Sequence, residues 1–121
     1  MADVETRTIG QSRLGELDLD DFVFGEIFSD HMFSMVCEDG AWRRPEIIPY
    51  GPIAIEPGVM MLHYAQMVFE GLKAFRGVDG VIRIFRPGRN ARRLRESCRR
   101  MCIPEIEDDV FVDAVERLVR T

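Results

Sequence analysis

Hydrophobic and polar positions take on a regular rhythm only from Phe22 onward. Residues 1–21 are polar and acidic with little periodicity, which reads as a leader that is loosely ordered or lies along a surface. Phe22, Phe24 and Phe28 then alternate with smaller residues, and Met32-Phe33-Ser34-Met35-Val36 has the pattern of a strand. Asp39-Gly40 is a turn signal with Trp42 behind it, so a hairpin is predicted over roughly residues 31–46. Pro45, Pro49, Pro52 and Pro57 punctuate the next stretch and predict short extended pieces and turns.

After the Pro57-Gly58 turn, the apolar run from Val59 to Val68 fits a short buried helix or a strand, since periodicity alone does not separate them. Residues 69–76 alternate as a strand, Val78-Asp79-Gly80 is a hairpin turn, and residues 81–85 return. Asn90 is a candidate cap for a helix reaching about Met101, with Ala91, Leu94, Cys98 and Met101 as its apolar stripe. Asp108 or Asp109 caps a second helix, in which Val110, Phe111, Ala114, Val115, Leu118 and Val119 share a face. Strands grouped ahead of helices predict an α+β domain over residues 22–121, antiparallel strands packed with two C-terminal helices. No closing strand follows the last helix, an ending expected of a piece of a longer protein.

The chain has 121 residues, a length for one domain able to bury a real core. The N-terminus lacks the apolar stretch of a secretory signal, and no apolar run approaches the ~20 residues of a spanning helix. Cys37, Cys98 and Cys102 form an odd set without a Cys-x-x-Cys spacing, and His31 and His63 lie far from them. Reduced structural cysteines in a cytoplasmic protein are expected, and no metal site. The net charge of −5 argues against a dedicated nucleic-acid binder. Charge is uneven, however: residues 83–100 hold eight arginines and one acid, Glu96.

That arginine-rich helix is the first candidate for chemistry. Anions are stabilised at a helix N-terminus, and an arginine adds a two-pronged clamp. Arg93, in the first turn after Asn90, is where both effects are expected to combine. The alternative is a solvated face ion-paired to the acidic flanks. The second candidate is Lys73, the only lysine in the chain. It is the only amine here for Schiff-base chemistry, unless that residue lies outside the chain. His31 follows Asp30, but neighbours on a strand point to opposite faces and form no dyad. Tyr64 and Phe69 are either pocket walls or buried core aromatics.

Several segments occur in a familiar order: Phe24-Gly25, Phe28-Ser29-Asp30-His31-Met32, Leu62-His63-Tyr64, Phe69-Glu70-Gly71-Leu72-Lys73-Ala74-Phe75-Arg76, Ile84-Phe85-Arg86-Pro87 and Asn90-Ala91-Arg92-Arg93-Leu94. Over residues 22–121 this resembles the N-terminal part of the branched-chain amino-acid aminotransferases, the pyridoxal-phosphate enzymes of fold type IV. The segments look more like the eukaryote-type branch than the shorter bacterial one. The resemblance implies a two-domain homodimeric enzyme that passes the amino group of leucine, isoleucine or valine to 2-oxoglutarate, giving glutamate. The cofactor would be pyridoxal 5'-phosphate. By resemblance, Arg93 matches the arginine on the cofactor phosphate, and Phe24, Tyr64 and Phe69 match the wall of the substrate pocket. Tyr64's counterpart is expected to reach across a dimer interface.

Lys73 does not match the Schiff-base lysine, which the family places beyond residue 121, so no catalytic residue is expected in this chain. Alone, the chain is expected to be inactive. Two other readings stay open: a free-standing interaction module or pseudo-subunit, and part of another fold-type-IV enzyme, such as a D-amino-acid aminotransferase or an aminodeoxychorismate lyase.

Overall fold

The computed structural model describes residues 4–18 and 23–121. Phe22, which opens the rhythm read from the sequence, lies outside the described residues. The chain divides into two compact units, one running to Ile53 and including Arg120–Thr121, the other Ala54–Val119. The sequence reading had placed a single domain over residues 22–121. The break falls in the proline-punctuated stretch, where residues 51–56 form no helix or strand.

In the first unit, β1 (Glu5–Thr6), β2 (His31–Glu38) and β3 (Ala41–Pro49) form a sheet in the order β1-β3-β2. The expected hairpin is β2 and β3, paired antiparallel. Its two-residue turn needs positive φ at both positions, and Asp39 (φ 51°) and Gly40 (φ 74°) supply it. Pro45 sits inside β3, the central strand, where a missing N–H would break the ladder. The register shifts between Ser34 and Val36, opposite Pro45 and the positive-φ Arg44 (φ 53°), and this irregularity absorbs the proline. β3 therefore continues to Pro49, past the predicted end.

Residues 4–18, read as part of a leader that is loosely ordered or lies along a surface, are tied to the first unit, β1 to its sheet. β1 pairs in parallel with β3, Glu5 opposite Glu46 and Thr6 opposite Ile47. Arg7 N–H donates to the Ile47 carbonyl at 2.9 Å, and its guanidinium meets Glu46 at 2.9 Å. Ile9 N–H donates to Nε2 of the buried His31 at 3.2 Å, which gives that histidine a structural partner. The Asp30 carboxylate accepts from Ser12 Oγ at 2.7 Å, Arg13 N–H at 3.1 Å and Arg13 Nε at 2.8 Å. The Ser12 hydroxyl and the Arg13 guanidinium hold its pKa below the ordinary value. The polar sequence hid this order because the bonds are backbone and charge contacts, with Val4 the one buried apolar residue of the stretch among those described.

The second unit contains α1 (Met60–Tyr64), the antiparallel hairpin β4 (Ala74–Arg76) and β5 (Ile82–Ile84), α2 (Pro87–Arg100) and all but the last residue of α3 (Asp108–Arg120). Of the run from Val59 to Val68, read as a short buried helix or a strand, only Met60–Tyr64 is helical, and it buries none of its residues. The strand expected over 69–76 begins only at Ala74, so Lys73 lies just before it and is exposed. Gly80 (φ 77°) and an Asp79–Arg83 ion pair fix the hairpin turn, and Arg83 draws the Asp79 carboxyl down to about 2.

α2 starts earlier than predicted. Pro87 occupies the helix start, where its missing N–H costs nothing and its φ is already helical. Arg86 (φ 50°) turns the chain out of β5, its guanidinium 5.1 Å from the Phe85 ring centre. Asn90 is therefore inside the helix and not its cap. On the stripe, Ala91 and Cys98 are buried while Met101 is exposed. The acids flanking α2 pair with its arginines, Arg95 with Asp108 at 3.3 Å and Arg99 with Glu105 at 2.8 Å.

The architecture is α+β. Its core is thin: among the described residues the buried apolar side chains are Val4, Ile47, Ala91, Cys98 and Ala114. The real core expected from chain length is not assembled, because the large side chains that would fill it, Phe24, Tyr64, Phe69, Phe75 and Phe85 among them, are exposed. No helix among the described residues is long and apolar enough to cross a membrane.

Candidate functional site

The centre of the second unit's polar structure is Glu70. It lies between α1 and β4, in a stretch from Ala65 to Lys73 with no helix or strand to hold it. Its side chain is only 3% exposed. A carboxylate so buried must be matched by donors, and α2 provides them from two residues three apart on one face, Asn90 and Arg93. Arg93 Nε donates to Oε2 at 2.6 Å, and Arg93 Nη2 donates to Oε1. Asn90 Nδ2 donates to Oε1 at 3.0 Å and to the Gly71 carbonyl at 2.9 Å. Gly71 N–H donates to Oε1 at 2.9 Å.

The Arg93 guanidinium is the main reason the Glu70 carboxyl titrates at about 2, with Asn90 and the Gly71 amide adding to it and desolvation opposing. Glu70 in turn raises the pKa of Arg93. The same network fixes Gly71. The Phe69 ring lies beside it, 3.6 Å from where a Cβ would stand, an ordinary van der Waals distance.

Arg93 is the sequence-predicted cofactor ligand. Because α2 begins at Pro87, Arg93 is in the second helical turn, and the expected union of helix N-terminus and Arg93 is not formed. The helix start instead borders an open cavity of about 580 Å³ lined by Arg86, Gly88, Arg89, Arg92 and Asp108. Arg93 keeps 67% of its side chain exposed. Its bonds to Glu70 use the Nε and Nη2 edge, leaving Nη1 without an acceptor among the described residues. That donor set fits one contact to a phosphate oxygen.

The predicted substrate wall divides between the units. Phe24 belongs to the first, in a turn closed by Glu26 N–H on the Val23 carbonyl at 3.2 Å with Gly25 at φ 89°. Tyr64 and Phe69 belong to the second. All three are largely exposed, at 87%, 74% and 81%. Tyr64 and Phe69 are therefore surface aromatics and not the buried core residues that were their other reading.

Glu70 and Asn90 are the residues that sequence reasoning missed. The signal was an acid between Phe69 and Gly71, ahead of a helix with Asn and Arg three apart.

No protein-family model matches the chain. Over most of its length it is nonetheless similar to aminotransferases. These relatives are named for branched-chain amino acids. The chain is 50% identical over 97 residues to the branched-chain-amino-acid aminotransferase of Mycobacterium tuberculosis (strain H37Rv), covering 79% of the chain and 26% of that protein. It is 44% identical over 97 residues to branched-chain-amino-acid transaminase 1 of Bacillus subtilis, covering 79% of the chain and 27% of the relative. With the chloroplastic branched-chain-amino-acid aminotransferase 5 of Arabidopsis thaliana it shares 41% over 117 residues, 96% of the chain and 28% of the relative. These bacterial relatives are the more identical, and the plant one matches more of the chain. The chain spans about a quarter of the length of the curated relatives it matches.

Proposed function

We propose that this chain is the N-terminal portion of a branched-chain amino-acid aminotransferase. The similarity to relatives of that name over 79–96% of the chain carries the reading. Similarity over that span also favours it over a free-standing interaction module. The whole protein would transfer the amino group of leucine, isoleucine or valine to 2-oxoglutarate, giving glutamate, in the fold-type-IV architecture and as a cytoplasmic homodimer. Pyridoxal 5'-phosphate, when bound, supplies the electron sink that lets an amino group leave one carbon and join another.

This chain's own residues would bind and shape. Arg93 offers its outward guanidinium end to a phosphate oxygen, a charge-assisted contact. Phe24, Tyr64 and Phe69 present exposed aromatic faces suited to a branched aliphatic side chain, and once covered they keep water from it. None of the chain's residues is assigned a proton transfer. Lys73 is exposed and has no place in the Glu70 network. The Schiff-base lysine is assigned to the part of the protein beyond Thr121.

The test is to purify the native gene product and assay leucine-dependent formation of glutamate from 2-oxoglutarate. The reading expects transamination that pyridoxal phosphate restores after dialysis. Activity on D-amino acids alone would transfer the chain to another fold-type-IV enzyme. In the same protein, Arg93→Ala is expected to weaken cofactor binding by roughly tenfold or more, and unchanged binding removes Arg93 from the site.

A further inference from the structure

We propose that Glu70 is the positioning residue for Arg93: a buried carboxylate that holds one edge of the guanidinium so that its other end is presented to the phosphate monoester of the cofactor. This rests on the reading of Arg93 as the phosphate ligand. The asymmetry of the pair carries it. Glu70 is 3% exposed and Arg93 67% exposed, so the acid is anchored and the cation projects. An arginine has four rotatable side-chain bonds, and a free one on a helix surface samples many rotamers. Two bonds from one carboxylate fix the plane of the guanidinium and remove that freedom before any ligand arrives.

The opposite role, a carboxylate that competes with the ligand for Arg93, fits the surroundings poorly. Releasing the arginine would leave a buried charge with only Asn90 Nδ2 and the Gly71 amide, both neutral donors. Both of those donors hold Oε1, and Asn90 is itself pinned to the Gly71 carbonyl. The bonds to Nε and Nη2 leave Nη1 for the ligand. A guanidinium can serve a carboxylate on one edge and a phosphate oxygen on its end at the same time, because its five donors point outward in one plane.

The experiment uses the full-length polypeptide that carries this chain. Dissociation constants are measured for pyridoxal phosphate and for pyridoxal, which lacks the phosphate, in the wild type, Glu70→Gln, Glu70→Asp, Arg93→Ala and the Glu70→Gln/Arg93→Ala double variant. Circular dichroism reports folding of each. Glu70→Gln is expected to weaken pyridoxal phosphate about 3- to 10-fold while leaving pyridoxal within about twofold. Glu70→Asp, which keeps the charge on a shorter reach, should recover part of the loss, and it also serves if Glu70→Gln fails to fold. In the double variant the glutamine should add no further loss of phosphate selectivity to that of Arg93→Ala.

A merely structural Glu70 would weaken both ligands equally, and that result overturns the proposal. So does tighter pyridoxal phosphate binding in Glu70→Gln, which would make the acid a competitor. If Arg93→Ala itself leaves the selectivity for the phosphorylated ligand unchanged, the reading of Arg93 falls and the positioning role falls with it. If Arg93→Ala lowers the selectivity and Glu70→Gln does not, only the positioning role fails.

Discussion

Replacing Glu70 by glutamine should destabilise the second unit through one identifiable bond. Oε1 accepts from three donors and Oε2 from one, Arg93 Nε at 2.6 Å. A glutamine keeps a single oxygen and does best by placing it at Oε1. Its amide NH₂ then confronts the Arg93 Nε–H, donor against donor, at a site closed to water on the glutamate side. The size of the effect follows from titration. A fall from the ordinary 4.5 to about 2 means that the folded structure favours the carboxylate by about 3 kcal/mol. Water reaching the exposed Arg93 screens part of this, leaving about 2 kcal/mol.

The sign is that of a depressed acid. The contribution is fully present above pH 4.5 and is lost as pH falls through that value towards 2. Urea unfolding at pH 7 should therefore show a midpoint lower in the variant by about 1 M, given m values of about 1–3 kcal/mol/M. The gap should narrow as the pH is lowered from 5 to 2.5, because the unfolded carboxyl then takes up a proton that the folded one still largely refuses. Equal midpoints at pH 7, or a gap unchanged at pH 2.5, would refute the reasoning.

Asp30→Ala should release the N-terminal segment, since that carboxylate collects Ser12 and Arg13. Trypsin cleavage after Arg13 should accelerate severalfold, and an unchanged cleavage rate would count against the tie. Thiol labelling at pH 8 should proceed in the order Cys102, Cys37, Cys98, because Cys102 is exposed and Cys98 is 2% exposed with burial pushing its pKa up. Rapid labelling of Cys98 in the folded protein would contradict its place in the core. The 121-residue chain should self-associate, because its β4–β5 hairpin exposes Phe75, Val81, Ile82 and Phe85. A monodisperse monomer by light scattering at high concentration would speak against this.

The legible parts of the sequence were those with local causes. The Asp39-Gly40 turn and the strands around it depend on a two-residue conformation that few residues adopt; the second helix was also legible, but Asp108 and Asp109 lie in its first turn and do not cap it, because its first bond runs from Phe111 N–H to the Glu107 carbonyl. The helix start at Pro87 was misread because Asn90 looks like a cap, while a proline earlier in the chain outranks it and frees the asparagine for Glu70. The alternation of 69–73 was read as strand. A strand needs a partner, and in this stretch Glu70 and Gly71 bond instead to α2 side chains. The Glu70–Arg93 pair itself spans 23 residues, and no local pattern encodes a contact at that separation. Sequence resemblance named Arg93 and the three aromatics, but neither resemblance nor periodicity disclosed the acid that holds the arginine.

The central claim is that these residues belong to an aminotransferase about four times their length. Reading the native coding sequence past the codon for Thr121, together with the mass of the protein in cells, tests it most directly. The account predicts continued coding sequence that supplies the Schiff-base lysine and a product of well over 300 residues. An in-frame stop after Thr121, with a 13.9 kDa protein accumulating in cells, would contradict it.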